Sequence, residues 1–250
     1  MAERGKSEYS QSVTNALRLL GCFVEREERG ISELSRELGL SKSAVARIVA
    51  SLEDGRLLMQ NAETGKYRLG TGFLLYGSLV RERNELSRAL APALAQLAEK
   101  YQSTAHLAVL DGGELTIVNK VSAGPFVYMS SRIGGALPIH ASATGKCILA
   151  WLPPERRREL IESAKLRRYT ATTITDPAAL EDELAAIRER GYALDDGETH
   201  EGLFCVGCPV LDASGRVAAA VSVSGSRAAL EPRLSEVVVS IRDELKNYGI

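Results

Sequence analysis

The chain has 250 residues, 45% hydrophobic and 25% charged, with a formal net charge of −1. That length allows two domains with separate cores. The near-zero charge gives no bulk attraction to nucleic acid, so any DNA affinity must come from local patterning. No apolar run reaches the roughly 18 residues that span a bilayer, and the opening MAERGKSEYS lacks the apolar centre of a signal peptide. Four irregularly spaced cysteines make no disulfide framework. The expected setting is a reducing cytoplasm, away from membranes.

In chain order, residues 13–23 predict a helix with Val13, Ala16, Leu17 and Leu20 on one face. Residues 31–58 predict two short amphipathic helices joined by a turn at Gly39-Leu40-Ser41. In the second, Val45, Ile48, Val49 and Leu52 recur at helical period as a buried stripe. The opposite face carries Lys42, Ser43, Ala46, Arg47 and Ala50, small or basic and without a carboxylate. A helix entering the DNA major groove needs such a face: little bulk, no repulsion from phosphate, and donors for base edges. Residues 58–69 follow as a hairpin with its turn at Thr64-Gly65. Helix, helix-turn-helix and basic hairpin in that order make a winged helix-turn-helix. Ser41 is the expected N-cap of the recognition helix and contributes to the DNA-facing surface. Ser43 and Arg47 are the expected base readers, and Lys42, Lys66 and Arg68 the phosphate contacts.

Residues 71–101 read as helical, broken near Pro92 into segments of about 72–88 and 91–101, with the hinge expected there. From His106 the pattern turns to strands: a hairpin about Asp111-Gly112-Gly113, then a third strand at FVYMSSRI. A short helix over 145–152 is stopped by Pro153-Pro154. Asp176-Pro177 predicts a capped helix to Arg190. Strands over 192–195, 205–211 and 217–224 and a closing helix over 236–248 complete an α+β domain with a mostly antiparallel sheet.

The runs GLSKSAVARIVASLEDGRLL and GKYRLG, with RIGGALPIHASATGKCILAWLP and GYALDDGETHEGLFCVGCPVLDASGRVAAAVSVSG, resemble the IclR family of bacterial transcriptional regulators over almost the whole chain. The resemblance implies a winged helix-turn-helix over 1–70, a linker helix over 71–90 and a GAF-like effector domain over 91–250. It implies homodimers, or dimers of dimers, on palindromic operators, answering to a small organic acid, either a 2-oxo acid or an aromatic acid. Two departures stand beside the effector block: Cys208 where the family has a small apolar residue, and the uncommon pair Thr199-His200.

Read from the residues themselves, Ser142-Ala143-Thr144-Gly145-Lys146 opens a helix whose amides attract an anion. Asp195 ends one strand, Cys205 begins another, and Ser222 and Ser224 alternate to one face of a third. The family likeness makes Ala143 and Thr144 the carboxylate donors and Asp195, Cys205, Ser222 and Ser224 the remaining wall. Asp195 suits a ligand hydroxyl or hydrated carbonyl better than an anion. His140 reads as a hydrogen-bonded structural histidine. A zinc site from Cys205, Cys208 and His140 or His200 is disfavoured, because residues three apart on a strand face opposite ways. No cofactor or metal is expected. Two other classes compete: an enzyme with Cys205 as nucleophile, His140 or His200 as base and Asp195 as orienter, and a DNA-binding protein without a ligand.

Overall fold

A computed structural model describes residues 9–124 and 131–247. It divides into two compact units, Met1–Arg83 and Asn84–Ile250. The first holds α1 (Gln11–Gly21), α2 (Ile31–Leu38), α3 (Lys42–Asp54), strands β1 (Leu58–Gln60) and β2 (Tyr67–Leu69), and α4 (Gly72–Arg83). Gly39 caps α2 at φ 69°, a left-handed conformation that glycine adopts without a Cβ clash. The α2–α3 turn is thereby short, and Leu34, Leu38, Val45, Val49, Leu52 and Leu58 close one small core.

Helix α1 departs from the predicted face. Leu19 is its one fully buried residue, joined in the core by Cys22 and Phe23 just past its end, while Val13 and Leu17 are exposed and Leu20 only half-buried. The apolar residues of α1 lie on more than one side, and tertiary packing chose among them. The hairpin β1–β2 forms in the expected register, with Leu58 opposite Leu69. Arg29 adds a bridge to Tyr67, giving the wing a third strand of one residue.

The second unit comprises α5 (Glu85–Tyr101), β3 (Thr104–Asp111), β4 (Glu114–Ser122), β5 (Ala136–Leu137), α6 (Ala143–Trp151), α7 (Pro154–Ala164), α8 (Pro177–Arg190), β6 (Ala193–Asp196), β7 (Leu203–Leu211), β8 (Val217–Ser226), a short α9 (Arg227–Leu230) and α10 (Leu234–Asn247). Six strands form one sheet in the order β5-β4-β3-β8-β7-β6, and every neighbouring pair is antiparallel. One sheet face, with Ala105, Leu107, Phe204, Val206, Val221 and Val223, packs on α5 and α10. The other, with Ala108, Ala193 and Ala220, packs on α6, α7 and α8.

Three expectations change here. Pro92 does not break the chain: α5 runs through it, and the interruption falls at Asn84, whose side chain accepts from the Ser87 amide at 2.8 Å. An interior proline costs about 3 kcal/mol. Leu90, Leu94 and Leu97 are essentially fully buried, and at about 1.5–3 kcal/mol each they outweigh that cost. Pro153-Pro154 ends α6 but also starts α7, with Pro154 in its first turn. The strand expected at FVYMSSRI falls at 126–130 outside the described residues, and Ser131–Ile133 are not strand.

Candidate functional site

The recognition-helix residues lie as the sequence pattern requires. Ser41 Oγ accepts from the Ala44 amide at 3.2 Å and lies 3.1 Å from Ser43 Oγ. Lys42, Ser43, Arg47 and Ala50 are exposed, while Val45 and Val49 are buried beneath them. The outward face of α3 therefore carries two cations and small side chains on a rigid base. On the wing, Arg68 is exposed, its guanidinium donating to Met59 Sδ at 3.3 Å. Lys66 is half-buried and paired with Glu33 at 3.4 Å, so part of its charge is used inside the unit. The wing loop is tied down by Glu28, which accepts from Asn61 at 2.6 Å and from the Thr64 hydroxyl at 3.0 Å. These contacts hold the Glu28 carboxyl below the usual range. No sequence signal tied Glu28 to the wing, because the contact spans more than thirty residues.

The second candidate site lies where α6 meets the sheet. Register across five strands builds two rows on one face: Asp195, Cys205, Ser224, Thr104 and Ser122, then Ala193, Gly207, Ser222, His106 and Lys120. The first turn of α6 sits on this face. A Cβ at Gly207 would come within 3.1 Å of the Ala143 backbone, and Ala143, Leu203 and Cys205 form one buried cluster. At the helix N-terminus Ser142 Oγ takes the Gly145 amide at 3.2 Å, and Ser142 O takes Lys146 N at 3.0 Å. The Ala143 and Thr144 amides precede the first intrahelical bond. Ala143, Thr144, Asp195, Cys205, Ser222 and Ser224 are all buried and gather in this region.

Asp195 differs from its expected part. Its Oδ1 accepts from Glu198 N at 2.8 Å and Thr199 N at 3.1 Å, and its Oδ2 from the Thr199 hydroxyl and, at 3.9 Å, from Cys205 Sγ. A carboxylate has about four acceptor positions, so its capacity is spent shaping the 196–199 loop. Burial raises the Asp195 carboxyl against these bonds. The Ser224 hydroxyl lies 3.5 Å from His106 Nδ1, and His106 Nε2 lies 3.1 Å from Ser131 Oγ. Burial pushes His106 down to about 3, so the ring is neutral. Ser222 Oγ has no hydrogen-bond partner among the described residues.

An ion pair that the sequence analysis did not foresee lies beside the site. Lys146 and Glu198, both buried, form a direct ion pair through Glu198 Oε1. The Glu198 carboxyl also takes a backbone hydrogen bond from Ile174. Burial raises the Glu198 carboxyl, and the Lys146 charge opposes it. Lys146 stands within the helix run already singled out, but its partner is 52 residues away. His140 is structural as expected, its Nε2 lying 3.0 Å from Arg167 O, although Nδ1 is unpaired.

Cys205 and Cys208 point to opposite faces, Cys205 toward Ala143 and Cys208 into the α5–α10 core. All four thiols are free, and burial pushes Cys208 up to about 12 and Cys205 well above its usual value. A thiol so disposed is a poor nucleophile.

Residues 12–62 match the IclR helix-turn-helix domain and residues 79–246 the C-terminal domain of the bacterial transcriptional regulator IclR. The chain belongs to the IclR family. It is 35% identical to the HTH-type transcriptional regulator XynR of Escherichia coli over 96% of this chain and 94% of that protein. It is 34% identical to the transcriptional repressor IclR of the same organism, over 86% and 80%. Among solved structures, an IclR homologue from Microbacterium hydrocarbonoxydans complexed with 4-hydroxybenzoate superposes with a TM-score of 0.78 at 29% identity, covering 94% of this chain and 99% of that one. The chain is thus an IclR-type transcriptional regulator with a helix-turn-helix DNA-binding domain, and its relatives are named as regulators and repressors, not enzymes.

Proposed function

We propose that this regulator binds a palindromic operator as a homodimer, or as a dimer of dimers, and that a small organic acid held at the start of α6 alters that binding. The observation that carries the ligand half is the buried polar cluster about Ala143 and Thr144, whose amides precede the first intrahelical bond. Polar groups are not left unsatisfied in a core without a reason. The acid's carboxylate accepts from the Ala143 and Thr144 amides, helped by the helix dipole. Thr144, Ser222 and Ser224 supply hydroxyls, Cys205 a compact apolar wall, and Asp195 holds the loop that closes the site.

In the DNA half, Ser43 and Arg47 read base edges, Ser41 fixes the start of α3, and Lys42 and Arg68 contact phosphate. Lys66 divides its charge between Glu33 and the backbone of DNA. One recognition helix reads too few base pairs for a genomic address, which calls for two. Helix α4 supplies the surface: it has no buried residue, yet it carries Leu74, Leu75, Tyr76, Leu79 and Val80, all exposed. Val13 and Leu17 of α1 are exposed as well. An apolar helix without a core needs a partner, and a second copy brings the symmetry that a palindrome matches.

Fluorescence anisotropy on the region upstream of the regulator's own gene, with random competitor at two salt concentrations, tests both halves. Tight binding that resists competitor and shifts on adding an organic acid is expected. Equal affinity for random DNA and no response to any acid would overturn the reading.

A further inference from the structure

We propose, resting on the phosphate contact assigned to Arg68 above, that Met59 is an oxidation site through which peroxide weakens the hold of the wing on DNA. Met59 on β1 and Arg68 on β2 are partners in the hairpin register, so their side chains lie on one side of the wing. The Met59 side chain is 40% exposed, and its Sδ accepts from the Arg68 guanidinium at 3.3 Å. Lys66 shares its charge with a carboxylate, whereas Arg68 shares its donors with a neutral sulfur. The wing thus sets an oxidisable atom against a phosphate-binding cation.

The other sulfurs of the described residues do not compete. Cys22, Cys147, Cys205 and Cys208 are buried, and burial raises each thiol above its usual value, so little thiolate is present to attack an oxidant. A thioether needs no deprotonation, and its polarizable sulfur is exposed here. A lone pair of Met59 Sδ attacks one oxygen of hydrogen peroxide, and the S–O bond forms as the O–O bond breaks. The proton on the transferred oxygen passes to the departing hydroxide, which leaves as water. Sulfur loses two electrons and the peroxide gains them. The thioether is a weak acceptor, and the sulfoxide that replaces it is polar. Its oxygen takes the Arg68 guanidinium as donor and holds that cation along the wing, in competition with phosphate. Met59 is not part of the unit's core, so the added oxygen displaces no packed side chain. Sulfoxide reductases reverse the step and return the cation to DNA.

Anisotropy of the full-length protein on a random-sequence duplex tests this, because a phosphate contact acts on every sequence. Wild-type protein treated with hydrogen peroxide should gain one oxygen on the peptide that carries Met59, read by mass spectrometry. It should then bind about fivefold more weakly at low salt, with a salt slope shallower by about one. Sulfoxide reductases should restore both. Met59→Leu should bind like untreated wild type and ignore peroxide, while Arg68→Ala should bind like the oxidised protein and lose no more on treatment. Both positions are exposed, so neither substitution empties the core. An unmodified Met59, an affinity unchanged by its oxidation, or a full peroxide response in Met59→Leu overturns the proposal. If Arg68→Ala still binds more weakly than wild type, the phosphate contact survives that result. Wild-type affinity in Arg68→Ala overturns the contact and the proposal together.

Discussion

Replacing Lys146 by Met removes a cation from a site where it is 2% exposed and its partner Glu198 is 7% exposed. Methionine fills much of the same volume, so the perturbation is chiefly one of charge. The Glu198 carboxylate then has neither water nor a counter-ion, and breaking a buried pair from one side costs about 3–5 kcal/mol. For a unit of this size, 1 kcal/mol lowers Tm by about 2–4 °C, so a fall of roughly 10 °C is expected. Trp151, the single tryptophan, lies at the end of the same helix and reports the transition by fluorescence. The double variant Lys146→Met/Glu198→Leu should recover most of the loss, because it removes both desolvation penalties.

The pH dependence follows in sign. Burial raises the Glu198 carboxyl, and Lys146 is the largest influence holding it down. A carboxyl whose folded pKa is raised contributes stability that is full below its unfolded pKa and lost as pH rises through the folded one. Removing the cation raises the folded value further. The deficit of Lys146→Met should therefore be small near pH 5 and grow toward pH 8. A loss under about 1 kcal/mol, a deficit flat in pH, or a double variant no better than the single would refute the reasoning.

Arg47→Ala should cost about 1–3 kcal/mol on the operator and far less on random DNA; equal losses in competition anisotropy would remove Arg47 from base reading. Lys42→Ala should weaken both DNAs alike and flatten the salt dependence, whereas Lys66→Ala should flatten it less, because Lys66 already faces Glu33. Gly145→Ala should unfold or strongly destabilise the second unit, since a Cβ there would sit 2.2 Å from Ile139 O; Gly77→Ala, with nothing within 4 Å, should be neutral or stabilise by up to about 1 kcal/mol. A Gly145→Ala protein with unchanged denaturation would contradict the packing of α6. Leu74→Glu with Val80→Glu should shift the protein toward monomer in analytical ultracentrifugation and cut operator affinity steeply; an unchanged sedimentation coefficient would exclude α4 as the interface.

Much of the candidate sites was legible because the relevant signals are local. The α3 stripe, the Gly39 turn, the Ser41 and Asp176 caps and the wing turn each involve residues within a few positions of one another. Strand alternation also separated Cys205 from Cys208 correctly. What failed was any judgement that weighed a local preference against packing. Pro92 is a helix breaker only until Leu90, Leu94 and Leu97 are buried around it, and Val13 and Leu17 look like core until Leu19 and Phe23 take that place.

Periodicity and capping determined from sequence alone that a reading helix and wing precede an antiparallel sheet, and which small and hydroxyl residues share a sheet face. Only the tertiary structure decided who pairs with whom. Lys66 turned to Glu33, Asp195 closed its own loop, and Lys146 met Glu198 across 52 residues. Such pairings are set by the desolvation of charges in a folded interior. That free energy has no counterpart in a local pattern, because it depends on which distant groups the fold brings together.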